Sequence, residues 1–283
     1  MIRDSFMVTM HFPFYRRYGY ELIFERIAYD VPSHEWPDGK RVLGKIRRQP
    51  WEQSKEAIKE VYEASNRNKH GGLKRDDWWY EYKFHIQRPY YFAVYYNESD
   101  EAEGYLIYQI LNGKFHCAEW EVLSGNEYHA LNRYIATHKD SVREIRYEQG
   151  YNKNSLFFLQ EKPLTNATVR PEMMVRIVDV EVFLNAYPFE KLQKAFAVHI
   201  PEDTYAPWNQ GIFEIQSQGT INKVVKTKLP TLTISVQQFT QLILGYQTLQ
   251  ELAFFDYVTV DKEMLSVIKA ILPKHTPVLE DYF

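Results

Sequence analysis

Three apolar runs, YYFAVYY (90–96), YLIYQIL (105–111) and FHCAEWEVL (115–123), follow one another so closely that they commit the middle of this chain to a sheet. The second and third are joined by Asn112-Gly113, a dipeptide that accepts the left-handed backbone of a two-residue hairpin. A polar loop, NESDEAEG, separates the first from the second. An antiparallel meander is the economical fold for such a stretch.

Helices to cover it stand on either side. Behind Pro50, a good first-turn residue, Trp51, Ile58, Val61 and Tyr62 recur at helical spacing and predict a helix from Trp51 to Asn66. GNEYHALNRYIATH (125–138) places Tyr128, Leu131 and Ile135 on one face. VREIRY (142–147) predicts another strand, and SLFFLQEKP (155–163) closes the unit. Upstream, ELIFERIAYDVP (21–32) reads as a strand ended by Pro32, and RVLGKIR (41–47) as a shorter one.

At Pro171 the pattern changes. MMVRIVDVEVFLNAYPF (173–189) predicts a strand and then a helix capped by Asp179. Alternating strands follow in KAFAVHI (194–200), GIFEIQ (211–216) and INKVVKT (221–227). SVQQFTQLILG (235–245) is a helix with Ser235 as cap, Val236, Phe239 and Ile243 as its buried stripe, and Gly245 as its stop. A last helix, DKEMLSVIKAIL, runs from Asp261 to the breaker Pro273. The whole reads as α+β.

A chain of 283 residues with 45% hydrophobic content can bury the cores of two domains. Its net charge of −3 argues against nucleic acid, whose nonspecific binding needs clustered Lys and Arg. The basic stretch NRNKHGGLKR (66–75), with its two glycines, suits a solvated loop. One cysteine, Cys117, excludes an internal disulfide, fits a reducing, cytoplasmic setting, and sits in a run where a small buried residue is expected. No run reaches the length of a membrane span. Paired histidines at zinc spacing, CxxC pairs, a Walker loop and a GxGxxG fingerprint are absent, so neither a metal nor a hydride cofactor is expected. His199, alone in an apolar strand, reads as a hydrogen-bonded core residue.

Five ordered fragments carry a resemblance. FYRRYGYE (14–21), MMVRIVDVEVFL (173–184), APWNQGIFEI (206–215), LPTLTISVQQFTQLILGY (229–246) and a final DYF (281–283) together resemble the enhanced intracellular survival (Eis-like) family of acetyltransferases. Those proteins join two GNAT domains to a C-terminal domain like a sterol carrier. The resemblance implies that 1–32 is the C-terminal remnant of a first GNAT domain, 33–170 a second GNAT-like domain and 171–283 the sterol-carrier-like domain. The Tyr-x-Arg-aromatic-Gly-Tyr motif stands at 15–20, although in the family it lies near the end of the first domain. The preceding donor loop, of the type Val-x-Pro-x-x-Arg-x-x-Gly, is found nowhere in the sequence. A truncated chain, inactive by itself, is therefore expected.

The resemblance further implies acetyl-CoA as cosubstrate, a small cationic amine of the aminoglycoside or polyamine type as acceptor, and a homo-oligomer for the full-length form. By its place in the motif Tyr15 matches the family's general acid, and the C-terminal carboxylate of Phe283 its base. Phenol is suited to protonating a departing thiolate, since its reference pKa of about 10 lies not far above the thiol's, about 8.5. Arg16 and Arg17 are candidates for donor phosphates, though adjacent residues cannot both face one site. Glu280 and Asp281 could draw a cationic amine to the terminal carboxylate, and Trp208 reads as a turn and core residue. Two alternatives stay open at this level: a noncatalytic module binding an apolar ligand, and a scaffold half of a split enzyme.

Overall fold

The computed structural model describes residues 4–8, 11–65, 70–86, 89–152, 166–189, 192–217, 219–258 and 262–281. The chain runs β1 (Asp4–Val8), α1 (Phe12–Arg16), β2 (Glu21–Pro32), β3 (Lys45–Gln49), α2 (Trp51–Ala64), α3 (Asp77–Tyr80), β4 (Tyr91–Tyr96), β5 (Ala102–Leu111), β6 (Lys114–Val122), α4 (Gly125–Ala136) and β7 (Glu144–Gly150). It continues through β8 (Ala167–Ile177), α5 (Val180–Ala186), β9 (Phe196–Ile200), β10 (Gly211–Ile215), β11 (Ile221–Val224), β12 (Thr231–Thr233), α6 (Val236–Ile243), α7 (Leu249–Phe254) and α8 (Lys262–Ile271). The expected segment 155–163 lies outside the described residues.

Packing forms two compact units. One, the meander unit, comprises Glu25–Arg170 with Val278–Phe283; the other, the four-stranded unit, comprises Met1–Phe24 with Pro171–Pro277. This grouping differs from the sequence segments 1–32, 33–170 and 171–283. Residues 25–32 join the meander sheet, and the last residues of the chain belong with it too.

The meander unit has strand order β2-β7-β6-β5-β4-β3. β3, β4, β5 and β6 pair antiparallel in succession, and Asn112 and Gly113 take φ of 53° and 72° at the hairpin. The apolar runs are continuous because both faces of the sheet are covered. Phe92, Val94, Tyr105 and Ile107 pack with Ile58 and Val61 of α2. Their neighbours Ala93, Tyr95, Leu106 and Tyr108 pack with Leu131 and Ile135 of α4. The strand expected at 41–47 starts only at Lys45, because the chain turns at Gly44 (φ +95°), where a Cβ would lie 2.5 Å from the Tyr95 hydroxyl. β2 pairs with β7 from Arg26↔Gly150 to Pro32↔Glu144, so residues 26–32 of the strand are part of this sheet.

In the four-stranded unit the order is β11-β10-β9-β12, with β12 parallel to β9. β1 pairs antiparallel with the later half of β8, from Asp4↔Ile177 to Val8↔Met173. Asp179 and Ser235 cap α5 and α6 as expected, accepting from Val182 N–H at 3.0 Å and Gln238 N–H at 3.3 Å. Phe183, Phe213, Phe239, Leu242 and Ile268 share one core. Among the described residues, one small space in it, among Leu184, Phe196, Leu232, Phe239 and Ile243, is about 10 Å³. That is room for about one water. Among the described residues no helix is long and apolar enough to cross a membrane.

Candidate functional site

Tyr15 sits in α1, a single turn opened by Pro13 and closed at Gly19 (φ +85°). Its carbonyl accepts from Tyr18 N–H at 2.9 Å and Tyr20 N–H at 3.3 Å, and its half-buried ring meets Phe14 edge-on at 5.1 Å. The turn is held from the same unit. Arg176 donates to the Tyr18 carbonyl and to both oxygens of Asp203 at 2.7 Å, and Asn209 Nδ2 donates to Asp203 at 3.0 Å. Gly19 is required here, because a Cβ would lie 2.8 Å from the Arg176 guanidinium. Gln237 and Gln241 of α6 donate to the Arg16 and Leu22 carbonyls, each at 3.1 Å.

Of the two arginines, Arg16 is engaged. Its Nε and Nη2 donate to the buried Glu21 carboxylate at 2.8–3.0 Å. Arg17 is exposed. Trp208 forms the expected turn but is 53% exposed, donating Nε1 to the Val178 carbonyl at 2.9 Å; Asn209 is the buried residue of that turn. His199 is half-buried, with Thr233 at 3.5 Å from Nδ1.

Phe283 lies outside the described residues, as does Tyr282. The two residues before them are described, and they contradict the expected role of free acidic attractors. Glu280 and Asp281 are 6% and 1% exposed, and both are bonded. Asp281 accepts from Arg75 Nε at 3.1 Å, Trp79 Nε1 at 3.0 Å, Lys83 Nζ at 2.7 Å and the Tyr62 hydroxyl at 3.4 Å. Arg75 in turn grips Glu119 of β6 through Nη1 at 2.8 Å and Nη2 at 2.6 Å, and Tyr105 donates to the same carboxylate at 2.5 Å. The Arg75 guanidinium also lies 3.8 Å from the Tyr62 ring centroid. Burial alone raises both carboxyls, but Arg75 and Lys83 outweigh it, holding Glu119 down to about 2 and Asp281 well below the ordinary range.

Arg75 thus overturns the reading of 66–75 as simply solvated. It is 7% exposed and the hub of a buried ionic cluster. The sequence carried a signal for this cluster in FHCAEWEVL, where Glu119 and Glu121 interrupt an apolar strand and so demand buried partners. α3 brings the other donors. It passes into a π-helical stretch, Glu81–Ile86, and supplies both Trp79 and Lys83 to Asp281; such turns recur at functional sites.

A GNAT site would hold the donor pyrophosphate with backbone N–H groups at a helix start. The start of α4, at the end of β6, is occupied by the chain itself. The Ser124 N–H donates to Glu127 at 2.5 Å and the Ser124 hydroxyl to the same carboxylate at 2.9 Å, while Asn126 N–H donates back to Ser124 at 3.3 Å. Glu127 is buried there, so a pyrophosphate would meet a carboxylate and committed N–H groups. This helix start does not fit that donor. Glu52, Glu81 and His85 place ligand atoms within 4.8 Å of one another, but Lys55 already pairs with Glu52 at 3.0 Å and Trp51 Nε1 donates to Glu81 at 2.9 Å.

The acetyltransferase (GNAT) domain family matches residues 71–177, and the sterol carrier protein domain family matches 180–280. A conserved protein of unknown function from Enterococcus faecalis V583, described as a probable N-acyltransferase, is 37% identical over 99% of this chain and 72% of its own, with a TM-score of 0.91. A GCN5-related N-acetyltransferase from Anabaena variabilis (19% identity, 99% of this chain, 73% of its own, TM-score 0.81) shares the fold. So does Eis1 from Mycobacterium abscessus (19% identity, 99% and 74% covered, TM-score 0.72). No curated protein matches the sequence.

Proposed function

Because the chain belongs to the GNAT N-acyltransferases that carry a sterol carrier protein domain, we propose that it serves the transfer of an acetyl group from acetyl-CoA to the amine of a small cationic molecule, of the aminoglycoside or polyamine type. The observation that carries this reading is the 37% identity to a probable N-acyltransferase across 99% of the chain. In this reading Tyr15 protonates the departing thiolate and the Phe283 carboxylate accepts the ammonium proton. A terminal carboxyl is a weak base in water, so its use requires removal from solvent or a relaying water.

Arg17 is the better of the two arginines for a donor phosphate, since Arg16 is spent on Glu21. Attraction of a cationic acceptor falls to the terminal carboxylate, because Asp281 and Glu280 are committed elsewhere. The donor-loop pattern is missing from 1–283 and α4 is capped by its own carboxylate, so we expect these residues alone to be inactive. A cytoplasmic setting and a homo-oligomer complete the proposal, with neither nucleic acid nor membrane as partner.

The test is Tyr15→Phe in a form joined to a donor-binding acetyltransferase domain, assayed at saturating acetyl-CoA. Loss of the phenolic proton should lower kcat by about 10²-fold or more with the fold intact. A variant with full kcat removes Tyr15 from the chemistry.

A further inference from the structure

Parallel pairing of β6 and β7 covers only Lys114–Cys117 against Glu144–Tyr147. Beyond it β6 continues to Val122 and β7 to Gly150. The carboxyl ends of adjacent parallel strands are where open sheets hold their ligands, since backbone groups there are free to bond. In this unit those ends hold residues 278–281. The Gly150 N–H donates to Glu280 Oε2 at 3.1 Å. A Cβ at Gly150 would lie 2.6 Å from Val278 Cγ1 and 2.8 Å from the Leu279 carbonyl, so the segment packs directly against β7. It is tied to β6 through Arg75 and Lys83, each of which bonds both Asp281 and Glu119. Val278 N–H donates to the His70 carbonyl at 3.0 Å.

We infer that the meander unit is a receptor for the chain's own segment 278–281, with Asp281 recognised as a buried carboxylate by Arg75, Lys83, Trp79 and Tyr62. Three features make this a built site rather than a resting place for a loose end. Arg75 has 0% of its side chain exposed and Asp281 also 0%, so the ion pair exists only when the segment is seated. Glycine at 150 clears the room the segment needs. Trp79 Nε1 and the Tyr62 hydroxyl complete the shell of donors around the same carboxylate. On the proposed reading of Phe283 as base, the clamp fixes the chain two residues before that carboxylate. Only this last step rests on that reading.

Hydrogen exchange at the Gly150 and Val278 amides reads the seating directly, with the Leu106 amide in β5 as the control for the sheet. Asp281→Asn in the whole chain should speed exchange at both amides by about tenfold or more and leave Leu106 unchanged. Lys83→Met, which keeps the Arg75 pair, should give a smaller change of the same sign and stands in if Asp281→Asn does not fold. Wild-type exchange at Gly150 and Val278 in both variants overturns the clamp, as does equal loss of protection at Leu106. Where acetyl transfer is measured, Asp281→Asn should lower kcat about tenfold and leave KM for acetyl-CoA unchanged. Faster exchange with kcat intact would retain the clamp and reject its link to the base.

Discussion

Arg75 carries a charge with no exposed surface, and it can do so because Glu119 and Asp281 surround it. Desolvating such a group costs several kcal/mol, which the paired carboxylates and their hydrogen bonds offset. Arg75→Met leaves two buried carboxylates with Lys83 alone, and should destabilise the meander unit by about 3–5 kcal/mol in chemical denaturation. The pH dependence has a definite sign. Both carboxyls titrate lower folded than unfolded, where Asp and Glu lie near about 3.9 and 4.3. Their contribution is therefore full above that range and shrinks as pH falls, Glu119's being lost through about 2 and Asp281's at still lower pH. The phenols facing them, Tyr62, Tyr80 and Tyr105, are pushed upward by burial and stay neutral throughout. Melts of wild type and Asp281→Asn should differ most near neutral pH and draw together as pH falls below the ordinary carboxylate range; a difference that does not shrink with falling pH would mean the cluster does not stabilise through charge. None of this was legible around Arg75 itself. Its partners lie 44 and 206 residues away, and a basic run without them resembles any solvated loop.

Elements were legible where one local rule dominated. The hairpin at Asn112-Gly113, the stripe on α2 and the caps at Asp179 and Ser235 each follow from spacing within a few residues. Several short elements were not. α7 has six residues, β12 three, and DWWYEYKFHI folds partly as a π-helix whose side chains do not repeat at 3.6. On the proposed reading, the element that bears on donor binding is α4. Its capping box stabilises the helix and puts a carboxylate where a phosphate would need free N–H groups. Calorimetry on residues 1–283 should accordingly find acetyl-CoA binding weaker than a Kd of about 10 μM, roughly 7 kcal/mol. Tighter binding would reveal a donor site elsewhere in these residues.

At the scale of the molecule, the chain returns to each unit after leaving it, so segments far apart in sequence share a core. Family-like fragments announced the α+β architecture and both domain types, but could not show that residues 278–281 belong with the meander. On the proposed reading, that placement gives the acetyltransferase-like unit a task other than donor binding, namely to hold the segment that leads to Phe283. The most direct test of the account is the acetylation rate of a form joined to a donor-binding domain and extended by a short peptide after Phe283, with a thermal melt as control. The extension leaves every side chain in place and moves the carboxylate, so the rate should fall by about 10²-fold or more, whereas Phe283→Leu, which keeps the carboxylate, should be milder. An extended protein that is folded and fully active would contradict the terminal-carboxylate mechanism.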